Sequence, residues 1–133
     1  LVQAYLQNLE DLDELMLPYE PKDMVHAWHL FVIRLRPGFL TIDRNQFIQK
    51  LNEQGVGTSV HFIPLHLHPF YQQVFGFKRG DFPNAETAYD AAISLPLYPQ
   101  MTLETVDKIS HIVRSIISKH HQTVHHYVKE EIC

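Results

Sequence analysis

The most restrictive feature of this sequence is an amphipathic stripe near its C-terminal end. Thr102 is a good N-cap residue, and apolar residues follow it with the period of an α-helix. The stripe consists of Val106, Ile109, Val113, Ile116 and Ile117. Such a helix gains most of its stability by burying its apolar face against a second layer of structure. The sequence therefore predicts a long C-terminal helix packed on the rest of the chain.

Shorter predicted elements precede this helix and mix strands with helices. Val25 to Leu35 is rich in β-branched and aromatic residues and predicts the strongest strand, and Thr58 to Phe62 predicts a second, short one. Helices are predicted over residues 1–10, over 44–54 behind Asp43, over part of 70–75, and from Pro83 to about Ala92. The order of these elements lacks the regular alternation of strands and helices that a doubly wound sheet has. The predicted class is α+β, a small antiparallel sheet with helices packed on it.

Length and composition exclude several classes of protein. The 133 residues, 45% of them apolar, suffice for one compact core. A formal net charge of −4 disfavours a nucleic acid or an anionic membrane as the partner. No apolar run has the length of a membrane span, and the N-terminal residues lack a signal-peptide pattern. The single cysteine, Cys133, excludes an intrachain disulfide, so a cytoplasmic setting is expected.

Function is most expected in the segment from Gly55 to Tyr71, which contains three histidines and two prolines. The prolines break the chain behind the predicted second strand, so the imidazoles extend from a strand end into a cleft. His61 and His66 are candidates for hydrogen bonds to a polar ligand. On spacing alone, histidines with purely structural partners in the core or at the surface remain the more frequent explanation.

Other reactive arrangements are not found in the sequence. The three histidines of this segment lack the cysteine or nearby carboxylate that would complete a familiar metal site. The histidines after residue 119 are expected on a solvated helix end. No serine lies in a Gly-x-Ser-x-Gly turn, and Gly55-Val56-Gly57 lacks the third glycine of a dinucleotide fingerprint. We therefore predict no catalytic, cofactor-binding or metal-ligating residue in this chain.

Six short motifs occur in a recognisable order. They are His26-Ala27-Trp28-His29-Leu30-Phe31-Val32, Asp43-Arg44, Gly55-Val56-Gly57-Thr58-Ser59-Val60-His61-Phe62, Pro64-Leu65-His66, Ser94-Leu95-Pro96-Leu97-Tyr98-Pro99 and Met101-Thr102. In this order and spacing they resemble the C-terminal domain of the DegT/DnrJ/EryC1/StrS sugar aminotransferases. The resemblance extends from about Leu1 to Ile117.

The resemblance implies a fold and an activity. It implies the small domain of a fold-type I aminotransferase over residues 1–118, a tail over 119–133, and a large domain that binds pyridoxal phosphate (PLP) outside this chain. The complete enzyme would aminate a keto group of a nucleotide-linked sugar, usually with glutamate as the donor, and would be a homodimer. No lysine here lies in a motif that resembles the Schiff-base site, so the isolated domain is expected to be inactive and to bind no cofactor.

Substrate contacts are implied by the same resemblance. In the family, the strand end and the loop behind it face the substrate cleft. The resemblance therefore implies His61 and Phe62 as the first candidates for substrate binding, and His66 as the second. An imidazole can hydrogen-bond sugar hydroxyls or phosphate, and an aromatic ring can cover an apolar sugar face. Two alternatives stay open: a non-catalytic regulatory or binding relative of the family, and a His-rich metal-binding module.

Overall fold

The computed structural model describes residues 1–122, and it confirms the α+β class. Within these residues the strands are β1 (Leu15–Met16), β2 (Phe31–Leu35) and β3 (Ala92–Leu95). The helices are α1 (Val2–Leu9), α2 (Arg44–Glu53), α3 (Pro69–Phe75), α4 (Pro83–Ala91) and α5 (Leu103–His120), with a 3-10 turn at Leu65–Leu67. None of these helices has both the length and the apolar character to cross a bilayer.

The three strands pair in the order β1-β2-β3, and both pairings are antiparallel. Leu15 lies opposite Leu35, and Phe31 lies opposite Leu95. Along β2 the side chains alternate, so that Phe31, Ile33 and Leu35 are buried while Arg34 is exposed. This alternation is typical of an antiparallel sheet with one covered face.

The core lies between this face of the sheet and the helices. Residues from α1, α2, α5 and the strands form one buried apolar cluster, with Tyr5, Leu9, Phe31, Ile33, Phe47, Leu51, Ile93, Val106 and Val113 among its most buried members. The ring of Tyr5 stacks on that of Phe31 with centroids 4.7 Å apart. Its hydroxyl donates a hydrogen bond to the carbonyl of Pro96 at 3.0 Å. A buried tyrosine is thereby satisfied at its polar end.

The helix-end signals of the sequence are confirmed. The Asp43 carboxylate accepts a hydrogen bond from the Gln46 amide at 2.8 Å, and the Gln46 side chain accepts one from the Asp43 amide at 3.0 Å. Gly55 follows α2 with φ +78°, a conformation that glycine adopts without strain. Thr102 accepts from the Thr105 amide at 3.2 Å, and all five residues of the predicted stripe are buried on α5.

The first predicted strand is too long, because residues 25–30 do not join the sheet. Trp28 has φ +46°, a left-handed conformation that is unfavourable for a bulky side chain and ends regular pairing. Its amide donates to Nδ1 of His26 at 2.8 Å, and the two rings lie 4.0 Å apart. These local contacts stabilise an irregular segment where the composition indicated a strand. Val25, 98% exposed, lies outside the core.

The second predicted strand, over 58–62, is wrong. Ser59 and Ser94 form only an isolated bridge, in which their amides and carbonyls exchange hydrogen bonds of 2.9 and 3.2 Å. The pairing cannot continue because β3 offers a short edge. Pro96 has no amide hydrogen on one side of Ser94, and β3 begins directly after α4 on the other.

The chain leaves the core after Val56 and returns to it through α4. We call the connecting residues, 57–85, the excursion. His66 is the only buried residue in it, and α3 has no buried residue at all. Several large apolar side chains of the excursion are exposed, namely Phe62, Leu65, Phe70, Val74, Phe75 and Phe82. The excursion is therefore built differently from the rest of the described chain.

Candidate functional site

The predicted site residues lie in the excursion but differ in exposure. His61 is exposed, and Phe62 presents 93% of its surface to solvent. His66, in the 3-10 turn, is only 6% exposed. Two neighbouring candidates thus face outward and the third faces inward. Substrate binding by these three residues stays a prediction.

A buried hydrogen bond holds His66 in place. Its Nε2 lies 2.8 Å from Oε1 of Glu86, which is also 6% exposed. The imidazole packs against the ring of Phe82, with centroids 4.7 Å apart. A polar pair at this depth is stable only if both partners are hydrogen-bonded. Through Nε2, His66 thus has a purely structural partner, which on sequence spacing alone is the more frequent case for such a histidine.

The Glu86 carboxylate is the centre of a wider network. The Gly80 amide donates to both of its oxygens at 2.8 and 3.0 Å, and the Phe82 amide donates to Oε1 at 3.4 Å. The Arg79 guanidinium lies 3.9 Å away. Burial alone would raise the pKa of Glu86, but the hydrogen bonds from Gly80, His66 and Phe82 together hold that pKa below its usual value.

Aromatic rings connect this network to α3. Consecutive contacts join Phe70 to Tyr71, Tyr71 to Phe75, Phe75 to Phe77, and Phe77 to Phe82, with centroids 5.2–6.0 Å apart. The series ends on the ring of His66. Edge-to-face and offset ring pairs stabilise such clusters beyond the area they bury. The excursion thus has a small aromatic cluster of its own, much of it open to solvent.

Sequence reasoning missed Glu86, although a signal for it exists. Glu86 is the acidic residue in the first turn of α4, which begins at Pro83. An acid at this place is favoured by the helix dipole and can reach back to free amides of the preceding turn. The glycine at position 80, before α4, is a second hint in the sequence, and in the structure it has φ +99°. Nothing in the sequence, however, shows that His66 lies on the same carboxylate.

An open cleft of about 740 Å³ lies away from the excursion. It is lined by Trp28, His29, Leu97, Tyr98 and Pro99 together with the first three residues of the chain. Its volume falls in the range of small-molecule sites. It contains none of the three predicted substrate residues.

A covalent PLP site and a metal site each require particular side chains. A Schiff-base lysine works from a desolvated position beside its cofactor. Within residues 1–122, Lys50 is half-buried and the other four lysines, Lys22, Lys78, Lys108 and Lys119, are exposed. These residues do not fit a covalent PLP site. No cluster of three or more metal-ligating side chains occurs within the same range.

Comparison with known proteins gives these features a context. A profile of the DegT/DnrJ/EryC1/StrS aminotransferase family matches residues 1–114. The chain belongs to the DegT/DnrJ/EryC1/StrS aminotransferase family. The resemblance seen in the sequence motifs is thereby confirmed, and the excursion with its three candidate residues lies entirely inside the matched region.

Relatives from the family show how much of a complete member is present. The chain is 47% identical over 119 residues to the uncharacterized protein MJ1066 of Methanocaldococcus jannaschii, covering 90% of this chain and 31% of that protein. It is 42% identical over 114 residues to the spore coat polysaccharide biosynthesis protein SpsC of Bacillus subtilis, covering 85% and 29%. The chain therefore spans less than a third of the length of these relatives.

A solved structure supports the same conclusion. Spr1654 from Streptococcus pneumoniae, in its PLP form, matches with a TM-score of 0.77 at 27% identity. The match covers 89% of this chain and 30% of that one. The fold described here is thus one part of a larger DegT/DnrJ/EryC1/StrS protein fold.

Proposed function

We propose that this chain is the C-terminal small domain of a PLP-dependent aminotransferase that aminates a keto group of a nucleotide-linked sugar. Membership of the aminotransferase family supports the reaction class. The role of SpsC in polysaccharide biosynthesis and the PLP form of Spr1654 support the substrate class and the cofactor. Polypeptide outside this chain would supply the Schiff-base lysine and the rest of the PLP site. The isolated chain would then be inactive.

The exposure of Phe62 beside His61 is the observation that carries the proposal. A phenylalanine that is 93% exposed gains nothing from the hydrophobic effect until something covers it. An imidazole next to it can hydrogen-bond a sugar hydroxyl or a phosphate oxygen, while the ring covers an apolar sugar face. Because Glu86 occupies Nε2 of His66, direct contact of His66 with the substrate would use its other ring nitrogen.

The chemistry is divided between this chain and the region outside it. PLP, when bound, carries the amino group from donor to acceptor. The residues of this chain bind and orient the acceptor sugar and exclude water from one side of the cleft. We assign glutamate as the donor, in line with the family.

The exposed apolar surface of the excursion supports an assembled enzyme. α3 buries none of its residues, although it presents Phe70, Val74 and Phe75. Such surfaces mark contacts with other protein or with ligand. We propose that the remaining polypeptide and a second subunit cover them in a cytoplasmic homodimer.

The proposal is tested on the complete polypeptide that contains this chain. Purified with PLP, it should show a cofactor absorbance that changes on addition of glutamate and returns on addition of a nucleotide-linked keto sugar. The 133-residue chain alone should show neither change. A complete polypeptide that binds PLP but does not respond to either substrate would contradict the proposed reaction.

Single substitutions test the assigned contacts. His61→Ala and Phe62→Ala should each raise KM for the nucleotide sugar by about tenfold, the effect of losing one good polar or aromatic contact. His111→Ala is the matched control, since His111 is exposed on α5 and lies outside the excursion. Equal kinetics of all three variants and the unmodified enzyme would remove His61 and Phe62 from the substrate site.

A further inference from the structure

The excursion reaches the folded interior at one buried residue. Between Val56 and Glu86 every residue except His66 is exposed or half-buried. Its connection to the core is therefore not a hydrophobic one. It consists of hydrogen bonds, namely the backbone bridge between Ser59 and Ser94 and the 2.8 Å contact of the His66 imidazole with the Glu86 carboxylate on α4.

Glu86 fastens two separate stretches of the excursion to α4. One stretch is the 3-10 turn, held through His66, and the other is the turn before α4, held through the amides of Gly80 and Phe82. The carboxylate is buried, so water cannot readily take over either set of hydrogen bonds. Loss of the carboxylate would release both stretches together.

The position of His66 is transmitted to Phe62 through a compact turn. The Leu67 amide donates to the Pro64 carbonyl at 2.9 Å, and the His68 amide donates to the Leu65 carbonyl at 3.0 Å. The His68 ring lies 3.2 Å from the carbonyl of Ile63, the residue that follows Phe62. Pro64 restricts the backbone between them further. Residues 63–68 are therefore linked to one another by hydrogen bonds within the stretch.

The other end of the stretch is fixed as well. Ser59 is bridged to Ser94 of β3 by the two backbone hydrogen bonds. His61 and Phe62 thus lie between two anchors, the Ser59 bridge and the His66–Glu86 pair. Only the second anchor depends on side chains, and it is the one a substitution can remove.

We propose that Glu86 is a positioning residue that, through His66, fixes the segment 60–63 in the orientation from which His61 and Phe62 contact the substrate. The assignment rests on the proposed function for the identity of that substrate. The fixing of the segment itself is a property of this chain alone. Glu86 touches no reacting group and acts on this segment through His66.

The first experiment measures backbone order in the 133-residue chain by NMR relaxation. Residues 60–63 should have order parameters near the rigid value of about 0.85 in the unmodified chain and below about 0.6 in Glu86→Ala. Glu86→Gln keeps an acceptor oxygen and should restore part of the order. Glu53→Ala is the control, because Glu53 is an exposed glutamate on α2. Unchanged order in Glu86→Ala, with core resonances intact, would overturn the proposal.

The second experiment measures kinetics in the complete polypeptide. Glu86→Gln should raise KM for the nucleotide sugar by about fivefold and change kcat by less than about twofold, since only the placement of binding groups is affected. A large fall in kcat together with a lower free energy of unfolding would indicate a merely structural role. An unmodified enzyme without turnover would contradict the proposed function but would leave the order measurement to decide the anchoring.

Discussion

The core and the excursion of this chain differ in which side chains they bury. In the core, apolar side chains of three helices and the sheet are buried together, and side-chain hydrogen bonds cap the N-termini of α2 and α5. In the excursion, large apolar side chains are exposed and the one buried anchor is polar. A region that can fold while leaving its aromatic residues in water must obtain its order from hydrogen bonds and its final cover from elsewhere. The contrast separates a core that is buried within this chain from a surface that we propose other polypeptide covers.

Matched phenylalanine substitutions test this contrast most strongly. Phe31 is fully buried in β2, whereas Phe70 is 63% exposed on α3. Phe31→Ala should lower the free energy of unfolding of the 133-residue chain by about 3–5 kcal/mol, because it leaves a cavity in the core. Phe70→Ala should change it by less than about 0.5 kcal/mol. Urea unfolding followed by circular dichroism measures both.

The result for Phe70→Ala decides whether the excursion belongs to the folding core. If Phe70→Ala cost as much as Phe31→Ala, the aromatic cluster of the excursion would be part of the folding core, and the contrast would fail.

Acid should loosen the excursion before it affects the core. The pKa of Glu86 is held below its usual value, so its stabilising contribution is complete above the ordinary glutamate pKa of about 4.3 and is lost as the pH falls through the lowered folded value. Between about pH 6 and pH 3, hydrogen exchange at the Leu67 and His68 amides should accelerate about tenfold beyond the intrinsic pH effect, while α5 amides stay protected.

Glu86→Gln supplies the control for this measurement. It cannot titrate at position 86, so the extra acceleration should be absent. The same acceleration in Glu86→Gln would assign the effect to other carboxylates, such as Asp11 and Asp90, whose pKa values are also lowered by their arginine partners.

A smaller effect is expected from the hydrogen bond that the hydroxyl of the buried Tyr5 makes with a residue distant in sequence. Tyr5→Phe removes the hydrogen bond to the Pro96 carbonyl and should cost about 1 kcal/mol in the free energy of unfolding. Tyr19→Phe, at a residue that is 79% exposed, should cost nothing measurable. Thermal unfolding of the three proteins checks the difference. A neutral Tyr5→Phe would show that this hydrogen bond adds nothing to the packing of the Tyr5 ring.

Much of the fold could be predicted from the sequence because the signals that define its helices are local. The Asp43–Gln46 capping box, Thr102 and the apolar stripe of α5 are local patterns, and local patterns decide where helices begin and which face they bury. The α+β class followed from these elements and from the β-rich stretch that contains β2.

The strands were harder to predict because a strand forms only where a neighbouring segment can pair with it. The left-handed backbone at Trp28 and the missing amide hydrogen at Pro96 limit what can pair, and a composition rich in β-formers shows neither effect. At the candidate site, the exposure of Phe62 agrees with a surface role. The burial of His66 depends on Glu86, twenty residues further along the chain, and such a contact leaves no local pattern.

The left-handed backbone at Trp28 has a consequence for spectroscopy. Trp28 is the only tryptophan in the sequence, and its ring lies 4.0 Å from that of His26 and 6.3 Å from that of Phe31. Indole emission from this chain therefore comes from a single junction, where the segment before β2 meets the sheet. A shift in emission without loss of helical circular dichroism would report the opening of that junction while the helices remain folded.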